Sequence, residues 1–128
     1  MFLFWIETVY DRSGKVLSRT DKKGNTTNYE YDDADRRAAE INALNQRTEY
    51  TYDNNGNIHT IKDARNNIIT YEYNNRNRRI KEIDSNNDYI EYQYDDAGNL
   101  IKIIDKNGRE TDFEYDALNR QTKITDVA

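Results

Sequence analysis

The stretch YDDAGNLIKIIDKNGRETDFEYD, residues 94–116, alternates two kinds of segment. Asp95-Asp96-Ala97-Gly98-Asn99 and Asp105-Lys106-Asn107-Gly108 read as turns. An aspartate at the first turn position can bond the backbone two residues on, and Gly or Asn tolerates positive φ later in the turn. Between the turns, Leu100 to Ile104 and Glu110 to Tyr115 are rich in β-branched and aromatic residues. Such runs predict strands of about five residues, so the segment reads as strand, turn, strand, turn.

The same text recurs in both directions. Tyr10, Tyr31, Tyr52, Tyr73, Tyr94 and Tyr115 fall 21 residues apart, and Asp11, Asp32, Asp53, Asp95 and Asp116 follow five of them. Asn74 follows Tyr73. A fixed period of this size marks a repeat architecture, in which neighbouring units stack to bury faces none could bury alone. The turns keep step with it. The first holds Gly14, Asp35, Gly56, Asn77, Gly98 and Asn119, and the second holds Gly24, Asn45, Asn66, Asn87 and Gly108. All are types that tolerate the left-handed region. Residues 10–128 are thus six repeats, starting at 10, 31, 52, 73, 94 and 115, the last incomplete. Residues 1–9 are expected to cap one end, with Trp5 over the first aromatic rung.

Two residues before each tyrosine from Tyr31 onward stands another aromatic: Tyr29, Tyr50, Tyr71, Tyr92 and Phe113. Positions i and i+2 share a face of a strand, so one face should carry rings unit after unit while the mostly polar intervening residues meet water. The first strands alternate. Gly56-Asn57-Ile58 and Gly98-Asn99-Leu100 give way in even units to Asp35-Arg36-Arg37-Ala38 and Asn77-Arg78-Arg79-Ile80. The apolar residue comes one place later, which predicts a longer turn or a bulge in even units and a superperiod of 42 residues.

Composition agrees with a thin, ordered sheet. Hydrophobic residues make up 35% against 34% charged, yet 11 Tyr, 3 Phe and 1 Trp are placed periodically, which disordered chains do not do. The net charge of -5 and the scattered Lys and Arg argue against a nucleic-acid partner. The chain has no cysteine, so no disulfide or thiolate site is expected. No segment reads as a signal peptide or a membrane span.

These residues resemble the RHS, or YD, repeat: Tyr-Asp, a Gly-Arg or Gly-Asn pair, two apolars, an Asp turn with Gly, then Tyr-x-Tyr-Asp. Tyr115 through Asp126 and Tyr94 through Glu114 carry the likeness most fully, and it spans roughly Val9 to Asp126. The chain departs from the family in having no proline, and so no Asp-Pro in the second turn. The resemblance implies consecutive β-hairpins spiralling into a shell. In large members, such as bacterial RHS proteins, insecticidal toxin complexes and teneurins, that shell encloses a C-terminal toxin or serves as a cell-surface scaffold. It also implies a secreted or cell-surface location. The expected partners are adjacent repeats, toxin cargo, or further copies through open β edges.

The expected fold is therefore all-β: stacked antiparallel hairpins forming a β-solenoid or an arc of a shell. The expected role is a non-catalytic structural scaffold, with the Tyr-Asp pairs as its repeat signature. The alternative is a module that holds glycans or a protein surface on Tyr29, Tyr50, Tyr71, Tyr92 and Phe113. An enzyme is not expected: His59 and Ser13, Ser18 and Ser85 stand in no catalytic context, and no cofactor is implied. The Asp and Asn residues sit where turns need them, which leaves calcium bridging as a minor reading and no assigned metal site.

Overall fold

A computed structural model describes residues 4–127, so Met1 to Leu3 of the expected cap and Ala128 lie outside the described residues. The strands are β1 (Glu7–Tyr10), β2 (Val16–Thr20), β3 (Thr26–Tyr31), β4 (Arg37–Ile41), β5 (Arg47–Tyr52) and β6 (Ile58–Lys62). They continue with β7 (Ile68–Tyr73), β8 (Arg79–Ile83), β9 (Tyr89–Tyr94), β10 (Leu100–Ile104), β11 (Glu110–Tyr115) and β12 (Gln121–Val127). Two compact units divide between Ile68 and Ile69. Within the first, β1 to β6 pair antiparallel in chain order, and within the second β7 to β12 do the same. The fold is all-β, and β10 and β11 have the bounds the sequence predicts.

Eleven five-residue loops join the strands, and one design serves them all. In the loop at Asp32, the Asp32 N–H donates to the Arg36 carbonyl at 2.8 Å and the Asp35 N–H returns to the Asp32 carbonyl at 3.0 Å. The Asp32 carboxylate accepts the N–H groups of Ala34 and Arg36, both at 2.9 Å. The fourth loop residue carries positive φ in all eleven, at Gly14, Asp35, Gly56, Asn77, Gly98 and Asn119 and at Gly24, Asn45, Asn66, Asn87 and Gly108. This is the three-residue hairpin connection closed by a left-handed residue. The fifth residue locks it: Asn57 and Asn99 donate to Asp53 and Asp95 at 3.0 Å, and Arg36 and Arg120 to Asp32 and Asp116 at 2.9 and 2.7 Å.

The expectation of a longer turn or bulge confined to even units is corrected. Every unit pairs its tyrosine with the residue six places on, Tyr31 with Arg37 and Tyr52 with Ile58, and every unit has a register shift beside that pair. What alternates is chemistry at one position. Odd units open the strand with Val16, Ile58 or Leu100, whereas Arg37 and Arg79 lay guanidinium groups 4.3 and 3.8 Å from the centres of the Tyr29 and Tyr71 rings. A stacked arginine covers an aromatic face as an aliphatic side chain does, and adds a cation–π attraction of about 0.5–1 kcal/mol where partly exposed. The register is unchanged, so there is no superperiod in the backbone.

The bulge staggers the sheet. Glu30 lies opposite Ala39 and Ala39 opposite Glu49, 19 positions on, whereas the repeat-equivalent of Glu30 is Thr51, 21 positions on. The second unit repeats the offset, with Gln93 opposite Lys102 and Lys102 opposite Asp112. Equivalent residues therefore step two places along the strand with each repeat.

Neither face makes a deep core. Among the described residues only Ala39, fully covered, and Tyr71, 8% exposed, are buried apolar residues. The register puts Ala39 on the face opposite Tyr29 and Tyr50, beside Glu30 and Glu49. That face was expected simply to meet water. Instead it carries an ion-pair chain: Arg47 binds both Glu30 oxygens at 2.7 and 2.8 Å and Glu49 at 2.9 Å, and Lys62 reaches Glu49 at 3.3 Å. The methyl of Ala39 is small enough for Glu30 of β3 and Arg47 of β5 to meet across β4. At their exposure such pairs contribute about 0.2–1 kcal/mol each.

Candidate functional site

The tyrosine face is the one surface whose chemistry recurs in every unit. Its repeating tyrosines occupy a defined slot. The hydroxyl of Tyr31 donates to the Val16 carbonyl at 2.8 Å, Tyr52 to Arg37 at 2.6 Å, Tyr94 to Arg79 at 2.6 Å and Tyr115 to Leu100 at 2.7 Å. Each acceptor lies 15 residues back, on the adjoining strand, two places before the first paired residue of that ladder: Ser18, Ala39, Lys81 or Lys102. The stagger opens the backbone ladder there, and an unpaired carbonyl in a half-covered site is costly. The phenol closes the gap, which is a physical reason for a tyrosine every 21 residues.

The rings are capped as well. Lys15, Arg36 and Arg78, the fifth residues of their loops, place cations 5.5, 4.4 and 5.9 Å from the centres of the Tyr31, Tyr52 and Tyr94 rings. Lys15 also bridges Asp11 and Asp35, tying one loop to the next. Tyr10 differs: its side chain is 58% exposed, and the chain has no residue 15 places before it.

The second aromatic set sits lower in the sheet. Tyr50, Tyr71 and Tyr92 have their phenol pKa values raised, first by burial and then by the nearby carboxylates of Glu40 or Glu82. Of the residues expected to bind a ligand, Tyr71 is buried under Arg79, and Tyr29, Tyr50, Tyr92 and Phe113 are half-buried. In the second unit Tyr73, Tyr92 and Tyr94 line a shallow depression of about 420 Å³ with Asn77, Arg79 and Leu100.

The tyrosine–aspartate pairs divide their labour. Asp11, Asp32, Asp53, Asp95 and Asp116 turn inward on their own loops, and their carboxylates lie below the usual range. Asp11, at about 2, is held chiefly by the Ser13 hydroxyl, and Asp53 and Asp95 by the Asn57 and Asn99 amides. These oxygens are spent on backbone and side-chain donors. Among the described residues no three His, Cys, Asp or Glu side chains converge as a metal site would require. His59 lies exposed on β6.

Residues that sequence reasoning passed over are the lysines in the middle of the first strands. Lys81, Lys102 and Lys123 each meet carboxylates on flanking strands: Lys81 and Glu91 at 3.8 Å, Lys102 with Glu110 and with Asp112 at 3.3 Å, Lys123 and Glu114 at 3.2 Å. Their 21-residue spacing was the available signal.

The slot geometry makes a testable contrast. Tyr94→Phe is expected to cost about 1 kcal/mol of unfolding free energy, because it leaves the Arg79 carbonyl without its donor. Tyr10→Phe should cost less than about 0.5 kcal/mol in dilute solution, as for an ordinary exposed position. Urea titrations followed by circular dichroism would compare them, and equal losses would contradict this role for the hydroxyl.

The sequence matches the RHS repeat over residues 10–47, 52–88 and 94–128. No curated protein matches it. Solved structures of similar fold include the crystal structure of TcdB2-TccC3, with 22% identity and a TM-score of 0.82 over 93% of this chain. A second crystal form, described as lacking the hypervariable C-terminal region, gives the same values. A Photorhabdus luminescens Tc holotoxin pore gives 21% identity and a TM-score of 0.81 over 94%. The chain spans 7% of the length of each of those chains. The repeating tyrosine slot and the match over 10–47, 52–88 and 94–128 make this chain a member of the RHS repeat family.

Proposed function

We propose that this chain is a non-catalytic segment of a β shell, one that helps enclose or present a toxin or other cell-surface cargo. The observation that carries this reading is the two-residue stagger per repeat. A constant stagger tilts strands against the direction in which the sheet grows, and tilt and stagger together are what coil a sheet around an interior. The tyrosine slots support it. Their hydroxyls are committed to backbone carbonyls and their rings to cations, so the repeating residues are occupied in holding hairpin to hairpin. The likeness to TcdB2-TccC3 supports the shell, and an extracellular or cell-surface site of action goes with the family. No helix among the described residues is long and apolar enough to cross a membrane.

The test is a segment exchange. Putting this chain in place of the superposed stretch of a TccC3 chain should still yield a TcdB2-TccC3 complex eluting as one species. A chimaera that aggregates or fails to bind TcdB2, while the isolated chain shows a folded β spectrum, would sink the shell reading.

The depression lined by Tyr73, Tyr92 and Tyr94 favours a second reading, a glycan held against aromatic faces. A glycan array read by retention, repeated with Tyr92→Ala, separates the two. Retention lost in the variant supports binding, and no retention by the native chain removes it.

A further inference from the structure

Three features at the two outermost described strands fit one another. The first is charge. Lys102 has Gln93 opposite it on one side and Asp112 on the other, and Lys81 has Glu72 and Glu91. Lys123 has Glu114 opposite it on β11, while β12 pairs with no further strand among the described residues. Lys123 is therefore a repeat lysine with one flank filled and one open.

The second is register. Asp112 stands three residues before Tyr115, as Glu7 stands three before Tyr10. The β10–β11 pairing is Lys102 with Asp112 and Ile103 with Thr111. Carried one repeat onward, with β1 of another copy as the incoming strand, it sets Lys123 opposite Glu7. It also sets Ile124 opposite Ile6, and Thr125 opposite Trp5. A cation meets a carboxylate, and two exposed isoleucines, Ile124 at 57% and Ile6 at 63%, cover each other.

The third is the tyrosine slot. Tyr10 is a repeat tyrosine with no acceptor 15 residues back, and Gln121 presents the carbonyl equivalent to those of Val16, Arg37, Arg79 and Leu100. In the same docked register the Tyr10 hydroxyl falls on the Gln121 carbonyl.

We infer that the β12 edge of one chain takes up residues 5–10 of a second copy as an antiparallel strand, head to tail. The contact is Lys123 to Glu7, Ile124 to Ile6, and Tyr10 hydroxyl to Gln121 carbonyl. Exposed strand edges template such additions, and a heterologous contact propagates as a ring or an open filament. The inference rests on the array reading but not on any cargo. Association can therefore fail while segment exchange succeeds, or the reverse.

Light scattering across a concentration series should show the mean mass of the native chain rising with concentration. Glu7→Lys should lower the association constant about tenfold, since a like-charged pair replaces an opposite one across the strands. Mixing Glu7→Lys with Lys123→Glu should restore association through the swapped pair, with circular dichroism confirming that each variant is folded. The chain has no cysteine, so register can be read directly. Trp5→Cys mixed with Thr125→Cys should form a disulfide-linked pair, because directly opposed strand residues lie within about 4.5–5.5 Å. Trp5→Cys with Lys123→Cys, two residues out of register, should not. A chain that stays monomeric at every concentration overturns the inference. So does association that survives Glu7→Lys without the 5–125 link.

Discussion

Tyr71→Ala should lower the unfolding free energy by about 3 kcal/mol, more than any other single aromatic truncation on this face. Tyr71 is the one ring the sheet buries, at 8% exposure, with the Arg79 guanidinium 3.8 Å from its centre. Truncation removes the ring's burial and strips Arg79 of the surface its side chain lies along. Tyr29, with Arg37 at 4.3 Å but only half-buried, should lose roughly half as much. In a repeat protein each unit is held by its neighbours, so a gap in one rung weakens two interfaces together. Urea midpoints for the two alanine variants, taken with the m-value, would decide it. If Tyr29→Ala costs as much as Tyr71→Ala, burial is not what sets the strength of a rung.

The contrast shows which parts of the fold the residues themselves disclose. Turn positions were legible because one residue type does one job there. Gly24, Asn45 and Gly108 sit where only a left-handed residue fits, and all carry positive φ. Strand limits followed from those turns. The alternation of Arg37 and Arg79 with Ile58 and Leu100 misled because apolar position was taken as the marker of register. An arginine laid over a tyrosine ring fills an apolar position with a charged residue, which hydrophobic periodicity counts as polar. The reason for the repeating tyrosine was hidden for another cause. Its partner is a backbone carbonyl 15 residues away, and backbone groups leave no trace in the side-chain pattern. The Glu30–Arg47 pair was hidden likewise, since it skips β4 and needs a small Ala39 beneath it.

The loops also set how stability depends on pH. Asp11, Asp21, Asp32, Asp53, Asp63, Asp95 and Asp116 all have carboxylates held below their ordinary 3.8, Asp11 at about 2. Glu30 and Glu49 are held below 4.5 by Arg47. A carboxylate with a depressed folded pKa contributes stability above its unfolded value and loses it as pH falls through the folded one. The loss should therefore begin near pH 4.5 and continue to about pH 2. Tyr50, Tyr71 and Tyr92 act at the other end. Their phenols are raised above 10.0 by burial, so their contribution is complete below pH 10 and disappears as pH rises through the folded values. A plateau between about pH 5 and 9 with a fall on each side is the expected curve. The chain supplies its own control, because Asn42 and Asn74 make the same loop with a side chain that does not titrate. Asp53→Asn should keep the turn and the fold at neutral pH, while the acid limb becomes less steep. Urea midpoints from pH 2 to 7 for the native chain and this variant measure both. An unchanged acid limb would mean that the loop carboxylates do not drive acid unfolding and that the glutamates of the opposite face do.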